Sequence, residues 1–213
     1  ELASSINNLA KFNDERGNYE QAELLFIESL EMNRRIFKGD HPELATSINN
    51  MASFYFDRGD YMKAESLFDE ALMMRRRIYK NDHPDLAISL NNMAKFYDES
   101  GNYKQADTFF FEALNVYINM LNNYFPSLSE PEKKLFWNTV SNRFEAFNSF
   151  GVKRSSENPD IICKMYDMQL YTKALLFNST SKIKKRIINS NDLDLIDKYK
   201  EFTDKKELLI NLY

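Results

Sequence analysis

The sequence predicts an all-α protein whose first part is a helical solenoid, and three observations carry that reading. The first is an internal repeat. Leu44 to Leu72 reads LATSINNMASFYFDRGDYMKAESLFDEAL, and at a spacing of 42 residues on either side stand Leu2 to Leu30, LASSINNLAKFNDERGNYEQAELLFIESL, and Leu86 to Leu114, LAISLNNMAKFYDESGNYKQADTFFFEAL. Self-similarity at such a period marks units that cannot bury their apolar faces alone and stack on their neighbours. The second is punctuation: three of the five glycines and three of the five prolines fall on the repeat lattice. The third is a set of small and aromatic residues at fixed places. Ala10, Phe12, Tyr19, Ala22, Phe26 and Leu30 each recur 42 and 84 positions later, as do Asn7, Asn8 and Glu28.

Within each unit these marks define two helices. Gly17, Gly59 and Gly101 end the first, because glycine takes the left-handed position after a helix without steric cost. Pro42 and Pro84, each preceded by Asp-His, fit the first turn of the next unit, where the missing N–H has no intrahelical partner. Ala10 and Ala22 let two antiparallel helices approach, with Tyr19 and Phe26 filling the space around them. Repeats of about 1–42, 43–84 and 85–126 follow.

At this point the residues resemble the tetratricopeptide repeat. Leu9-Ala10, Gly17, Tyr19, Ala22 and Phe26 match its pattern, as do Met51-Ala52, Tyr55, Gly59, Tyr61, Ala64, Phe68 and Ala71, and then Met93-Ala94, Tyr97, Gly101, Tyr103, Ala106, Phe110 and Ala113. The family's usual unit is shorter and often opens with Trp. The 42-residue length without that Trp, joined by Asp-His-Pro, resembles the variant of kinesin light chains. The resemblance implies a right-handed superhelix with longer helices than usual, used to bind other proteins.

The functional question falls on the first helix of each unit. Its apolar stripe is Leu2, Ile6, Leu9 and Ala10 with their equivalents. A separate face carries Ser4, Asn7, Lys11 and Asp14, then Thr46, Asn49, Ser53 and Phe56, then Ile88, Asn91, Lys95 and Asp98. By the family resemblance this face lines a concave groove for extended peptides. An asparagine amide both donates and accepts, so Asn7, Asn49 and Asn91 suit holding a peptide backbone, with Lys11 and Lys95 beside them. The alternative is that these asparagines brace neighbouring helices. The second helices end in basic turns, Arg34-Arg35 and Arg75-Arg76-Arg77, which complement the helix dipole. Arg75 also aligns with a groove-facing position of kinesin light chains, where it would attract an acidic ligand; the third unit has Tyr117 there.

After Leu114 the lattice decays, and 127–213 reads as a helical connector. Ser129-Glu130-Pro131-Glu132 is a capping box. The helix it opens carries Phe136, Trp137, Val140, Phe144 and Phe147 inward, able to cap the last repeat, and is expected to stop at Gly151. A polar loop, Lys153 to Asn158, leads to a long helix, expected to be interrupted near Asn178-Ser179-Thr180-Ser181. A final helix begins after Ser190-Asn191-Asp192, with Leu195, Ile196, Tyr199, Phe202, Leu209 and Leu212 expected to face inward. The order of motifs over 125–213 resembles the segment between repeats and protease in TPR-CHAT proteins, whose CHAT domain is a caspase-like peptidase with a His-Cys dyad. That resemblance implies a regulatory region of a larger peptidase-like protein; the alternative is a stand-alone peptide or cargo adaptor like a kinesin light chain. The start inside a repeat at Glu1-Leu2 and the end in an apolar helical run imply a segment of a longer protein.

Composition narrows the chemistry. No apolar run is long enough for a membrane span, and no signal peptide is evident. A single cysteine, Cys163, cannot close an intramolecular disulfide and fits a reducing, cytoplasmic setting. It sits in an apolar helical pattern with Ile161, Ile162, Met165 and Tyr166, which reads as burial. The two histidines, His41 and His83, occupy equivalent turn positions, so neither a zinc cluster nor a nucleophile–base pair is expected, and no cofactor is implied. No enzyme motif is present. The net charge of −4 divides into −7 over residues 1–126 and +3 over 127–213. An acidic array is poorly suited to nucleic-acid phosphates. The cluster Lys182, Lys184, Lys185 and Arg186 lacks interleaved aromatics and reads as a solvated helix face.

Overall fold

The computed structural model describes residues 1–80, 82–125 and 128–210, apart from the side chains at 130, 174–184, 203 and 206–210. Among the described residues all regular structure is helical. The three repeats are α1 (Leu2–Glu15) with α2 (Tyr19–Ile36), α3 (Pro42–Asp57) with α4 (Tyr61–Ile78), and α5 (Pro84–Glu99) with α6 (Tyr103–Tyr124). The connector holds α7 (Glu130–Arg154), α8 (Asp160–Ile188) and α9 (Leu193–Ile210). The chain divides into two compact units, Glu1–Val140 and Ser141–Tyr213, so the division falls inside α7.

The lattice glycines have φ of +80°, +77° and +80° at Gly17, Gly59 and Gly101. In the first repeat the N–H of Gly17 reaches the Asp14 carbonyl and that of Asn18 the Asn13 carbonyl, both at 2.9 Å. The paired bonds of a Schellman cap thus close the helix, and Gly59 and Asp60 repeat them on Phe56 and Tyr55. Each Asp-His-Pro segment starts a helix through its histidine. His41 Nδ1 accepts from the Glu43 N–H and His83 Nδ1 from the Asp85 N–H, both at 3.2 Å. The rings stack on Phe37 and Tyr79, with centroids 3.5 and 3.7 Å apart. The histidines are therefore N-caps, with proline in the first turn behind them. Pro126, the third lattice proline, lies outside the described residues.

Ala10, Ala22, Ala52, Ala64, Ala94 and Ala106 are wholly buried, as the close approach of paired helices requires. Phe56, Phe68 and Phe96 then join repeats 2 and 3 through rings about 6 Å apart. Polar bonds repeat with the same period. Tyr55 donates to Glu23 and Tyr97 to Glu65, both at 2.8 Å. Arg34 pairs with Glu70 at 2.9 Å and Arg76 with Glu112 at 2.6 Å. Among the described residues these bonds join each repeat to the next, as in a solenoid. The apolar stripe departs from expectation at its start: Leu2 is 64 % exposed whereas its equivalent Leu44 is 5 % exposed, with repeat 1 in front of it.

The connector corrects several expectations. Of the capping box the Glu132 half forms: the Ser129 N–H donates to Glu132 Oε2 at 2.8 Å, and the Ser129 hydroxyl donates to the same oxygen. Val140, Phe144, Phe147 and Phe150 are buried, while Phe136 and Trp137 are half-buried. The helix does not stop at Gly151 but continues to Arg154. There the absence of a Cβ admits the Met165 side chain of α8, so this glycine serves packing rather than termination. The backbone of α8 runs unbroken through Asn178–Ser181, a stretch without glycine or proline to break it. Cys163 is exposed, because the buried stripe of α8 is Ile161 and Met168. On α9, Leu195 and Phe202 are exposed rather than inward. Leu209 and Leu212 lie outside the described side chains or residues. No described helix is long and apolar enough to cross a membrane.

Candidate partner-binding cleft

The first-helix face meets the second helices at each junction between repeats, and lattice-equivalent residues there have different fates. At the junction of repeats 2 and 3, Asn92 Nδ2 donates to Asn49 Oδ1 at 2.9 Å. Within repeat 3, Asn91 Nδ2 donates to the Tyr117 hydroxyl at 3.2 Å. Arg75 is 3 % exposed. Its Nη1 donates to the Asp85 carbonyl (2.9 Å) and Ser89 Oγ (2.8 Å), and its Nη2 donates to Thr46 Oγ1 (3.2 Å). Burial lowers the guanidinium pKa, and the Asp85 carboxylate opposes that shift. This corrects the expectation that Arg75 faces a ligand: its side chain is a strut between α3, α4 and α5. Asn49, 7 % exposed, is likewise engaged between helices.

The junction of repeats 1 and 2 is built otherwise. A cleft of about 260 Å³ lies there, lined by Ser4, Asn7, Lys11 and Asn33 from repeat 1 and by Glu43, Ser47 and Asn50 among others from repeat 2. Asn7 and Asn50 are the lattice equivalents of Asn49 and Asn92. Here the bond between them is not made: Asn7 Oδ1 and Asn50 Nδ2 are both buried without a partner. Asn33, the equivalent of Arg75, donates through Nδ2 to Ser47 Oγ at 2.6 Å, and its Oδ1 is also buried and unpartnered. Buried amide groups in this condition cost free energy that a ligand hydrogen bond recovers.

Of the residues singled out from sequence, Asn7 and Lys11 thus share a cleft, and Lys11 is exposed at its edge. Lys95, exposed at the equivalent place two repeats on, lies 3.6 Å from Glu99 and 5.0 Å from the centre of the Phe56 ring. Phe56 itself is buried in the aromatic core rather than on the face. Sequence reasoning missed Asn33, Glu43, Ser47 and Asn50. Asn50 carried a signal, since the second asparagine of each Asn-Asn pair recurs as faithfully as the first; Asn33 carried only its departure from Arg75.

Two tetratricopeptide repeat family models match the chain, one over residues 2–43 and one over 43–119. No curated protein matches it by sequence. Among solved structures it is similar to BtubC (BKLC) from P. vanneervenii, with a TM-score of 0.57 and 16% identity over 81% of this chain; the chain spans 65% of that protein's length. It is also similar to a Podosopora anserina protein described as a kinesin light chain with nearly identical TPR-like repeats. There the TM-score is 0.52 at 16% identity, covering 95% of each chain. The structural likenesses bear on the fold, which they share, and the matched segments together span more than half of the sequence: the chain belongs to the tetratricopeptide repeat family.

Proposed function

We propose that this chain is a non-enzymatic protein-interaction scaffold that holds an extended segment of a partner along its first-helix face, seated at the junction of repeats 1 and 2. The observation that carries the reading is the contrast between two equivalent asparagine pairs. Asn92 Nδ2 donates to Asn49 Oδ1, whereas Asn7 Oδ1 and Asn50 Nδ2 have neither each other nor any partner. One acceptor and one donor lining the same cleft match the N–H and C=O of a peptide backbone, which each residue of an extended strand supplies. Asn7 and Lys11 are the contact residues inherited from the sequence reading; Lys95 extends the same face. Asn49 and Arg75 hold the second junction in shape, and Asn91 ties the two helices of repeat 3.

Selection of peptides from a displayed library against the purified chain tests the reading. Binders are expected to lose about tenfold affinity on Asn50→Ala, the loss of one buried hydrogen bond of about 1.4 kcal/mol. Binders indifferent to Asn7, Lys11 and Asn50 would remove it. The finer proposal, that the array regulates a caspase-like CHAT domain in the same protein, rests on the motif order of 125–213 alone. The gene sequence after Tyr213 decides between it and a stand-alone adaptor.

A further inference from the structure

The repeat lattice lets one junction be read against the other. The Arg75 guanidinium rests on Thr46, Asp85 and Ser89. Stepping back 42 residues turns these into Ser4, Glu43 and Ser47, and turns Arg75 into Asn33. All four line the cleft between repeats 1 and 2. The frame that receives a guanidinium at one junction is therefore present at the other, where the chain supplies no guanidinium. The shorter Asn33 leaves space and adds an acceptor, Asn33 Oδ1, which like Asn7 Oδ1 in the same cleft is buried without a partner. Both residues are more than nine-tenths buried.

A further substitution frees a charge. At the second junction the Tyr79 hydroxyl donates to the Asp85 carboxylate at 2.8 Å. At the first, Phe37 stands in the place of Tyr79 and offers no such donor, so the Glu43 carboxylate is free to meet a cation. Lys11, the basic residue of the cleft, stands at its other end: on the lattice Glu43 is level with Glu1, ten residues or about 15 Å of helix axis from Lys11. The end near Asn33 thus presents oxygen acceptors and a carboxylate.

We propose that the cleft between repeats 1 and 2 is a guanidinium receptor that takes an arginine side chain of the bound partner, in the place that Arg75 fills from within the chain one repeat later. It rests on the reading of this face as a partner-binding surface and specifies what the partner must carry. Arginine is selected over lysine because several acceptors arranged around a plane match the fork of a guanidinium and not a compact ammonium.

The probe is N-acetyl-arginine amide, added to the isotope-labelled chain while the side-chain amide resonances of Asn7 and Asn33 are followed. Saturable shifts are expected, with the lysine and citrulline analogues binding about tenfold more weakly. Absence of saturation, or equal binding of the citrulline analogue, overturns the proposal. Asn33→Arg should place a guanidinium on Ser4, Glu43 and Ser47, raise the melting temperature and abolish binding of the probe; a folded variant that still binds it refutes the assignment. Should that variant fail to fold, Arg75→Ala decides by the reciprocal route. Methylguanidinium should raise its melting temperature while methylammonium does not, and equal effects of the two count against a guanidinium frame. A library-selected peptide that binds this face without arginine, in a chain that ignores the probe, removes the guanidinium receptor and leaves the scaffold reading standing.

Discussion

Asn7 and Asn49 allow the bracing and groove roles of the asparagines to be separated by a matched pair of substitutions. Both are 7 % exposed, and both sit at the same place in their repeats. Truncation to alanine removes the same atoms from each and leaves a similar void. What differs is the bond. Asn49 Oδ1 accepts from Asn92 at 2.9 Å, so Asn49→Ala loses a side-chain hydrogen bond worth about 1 kcal/mol and strands a half-buried amide. Asn7 Oδ1 has no partner, so Asn7→Ala removes a buried unsatisfied acceptor whose presence already costs about 1 kcal/mol or more. The two variants should therefore differ by about 2 kcal/mol, with Asn49→Ala the less stable. For a chain of this size that separates their melting temperatures by about 4–8 °C, readable by far-ultraviolet circular dichroism. Equal melting temperatures, or a larger loss in Asn7→Ala, would show that the unpaired state of Asn7 is not a property of the free chain.

Three further outcomes follow from the same structure. His83→Ala should lower stability by about 1 kcal/mol through loss of the N-cap, and His83→Asn should recover much of it, as measured by urea midpoints. Burial, with hydrogen bonds to Glu23, Asp85 and Glu65, pushes the phenols of Tyr55, Tyr79 and Tyr97 up to about 12. Their folded values exceed the unfolded value of about 10, so the stability they contribute is complete below about pH 10 and is lost as pH rises toward 12. An alkaline absorbance titration of the native chain should show a late phase that Tyr55→Phe diminishes; a single phase near pH 10 contradicts the assignment. Gly151→Ala gains about 1 kcal/mol in helix propensity but drives a methyl into Met165, a clash of about 1–3 kcal/mol, so a net loss is expected in thermal melts. Met165→Ala in the same chain should relieve it.

The fold was legible wherever local chemistry and the repeat agreed. Gly17, Gly59 and Gly101 demanded a left-handed turn, and Pro42 and Pro84 demanded a helix start, so element ends followed from steric rules that tertiary context does not override. In the connector no second copy was available to average out local ambiguity. Gly151 suggests a terminator because helices commonly end at glycine, yet in the structure its missing Cβ admits the Met165 side chain of α8. Cys163 and Ile161 sit two positions apart in one apolar run, and the side of α8 that is covered depends on where α7 passes, which the run does not encode.

The cleft was half legible, for a reason that bears on where repeat proteins keep their function. Identity across repeats pointed to Asn7, Asn49 and Asn91, but positions that recur in every unit are those every unit needs in order to stack. Asn49 accordingly spends its amide oxygen on Asn92 of the next repeat, while Asn91 spends its amide on Tyr117 within its own. The site opens where copies differ: Asn33 against Arg75, and Phe37 against Tyr79. Each exchange takes away a group that fills or satisfies the equivalent junction, and each was visible as a departure from the lattice. Its meaning was not visible, because residues 4, 33, 43 and 47 become neighbours only when two repeats stack. Substitutions that restore the lattice should then close the site one group at a time. Phe37→Tyr alone should engage Glu43, as Tyr79 engages Asp85, and weaken partner binding without disturbing the Asn33–Ser47 bond. If Phe37→Tyr leaves binding of a cleft-directed peptide unchanged, the Glu43 carboxylate has no part in recognition.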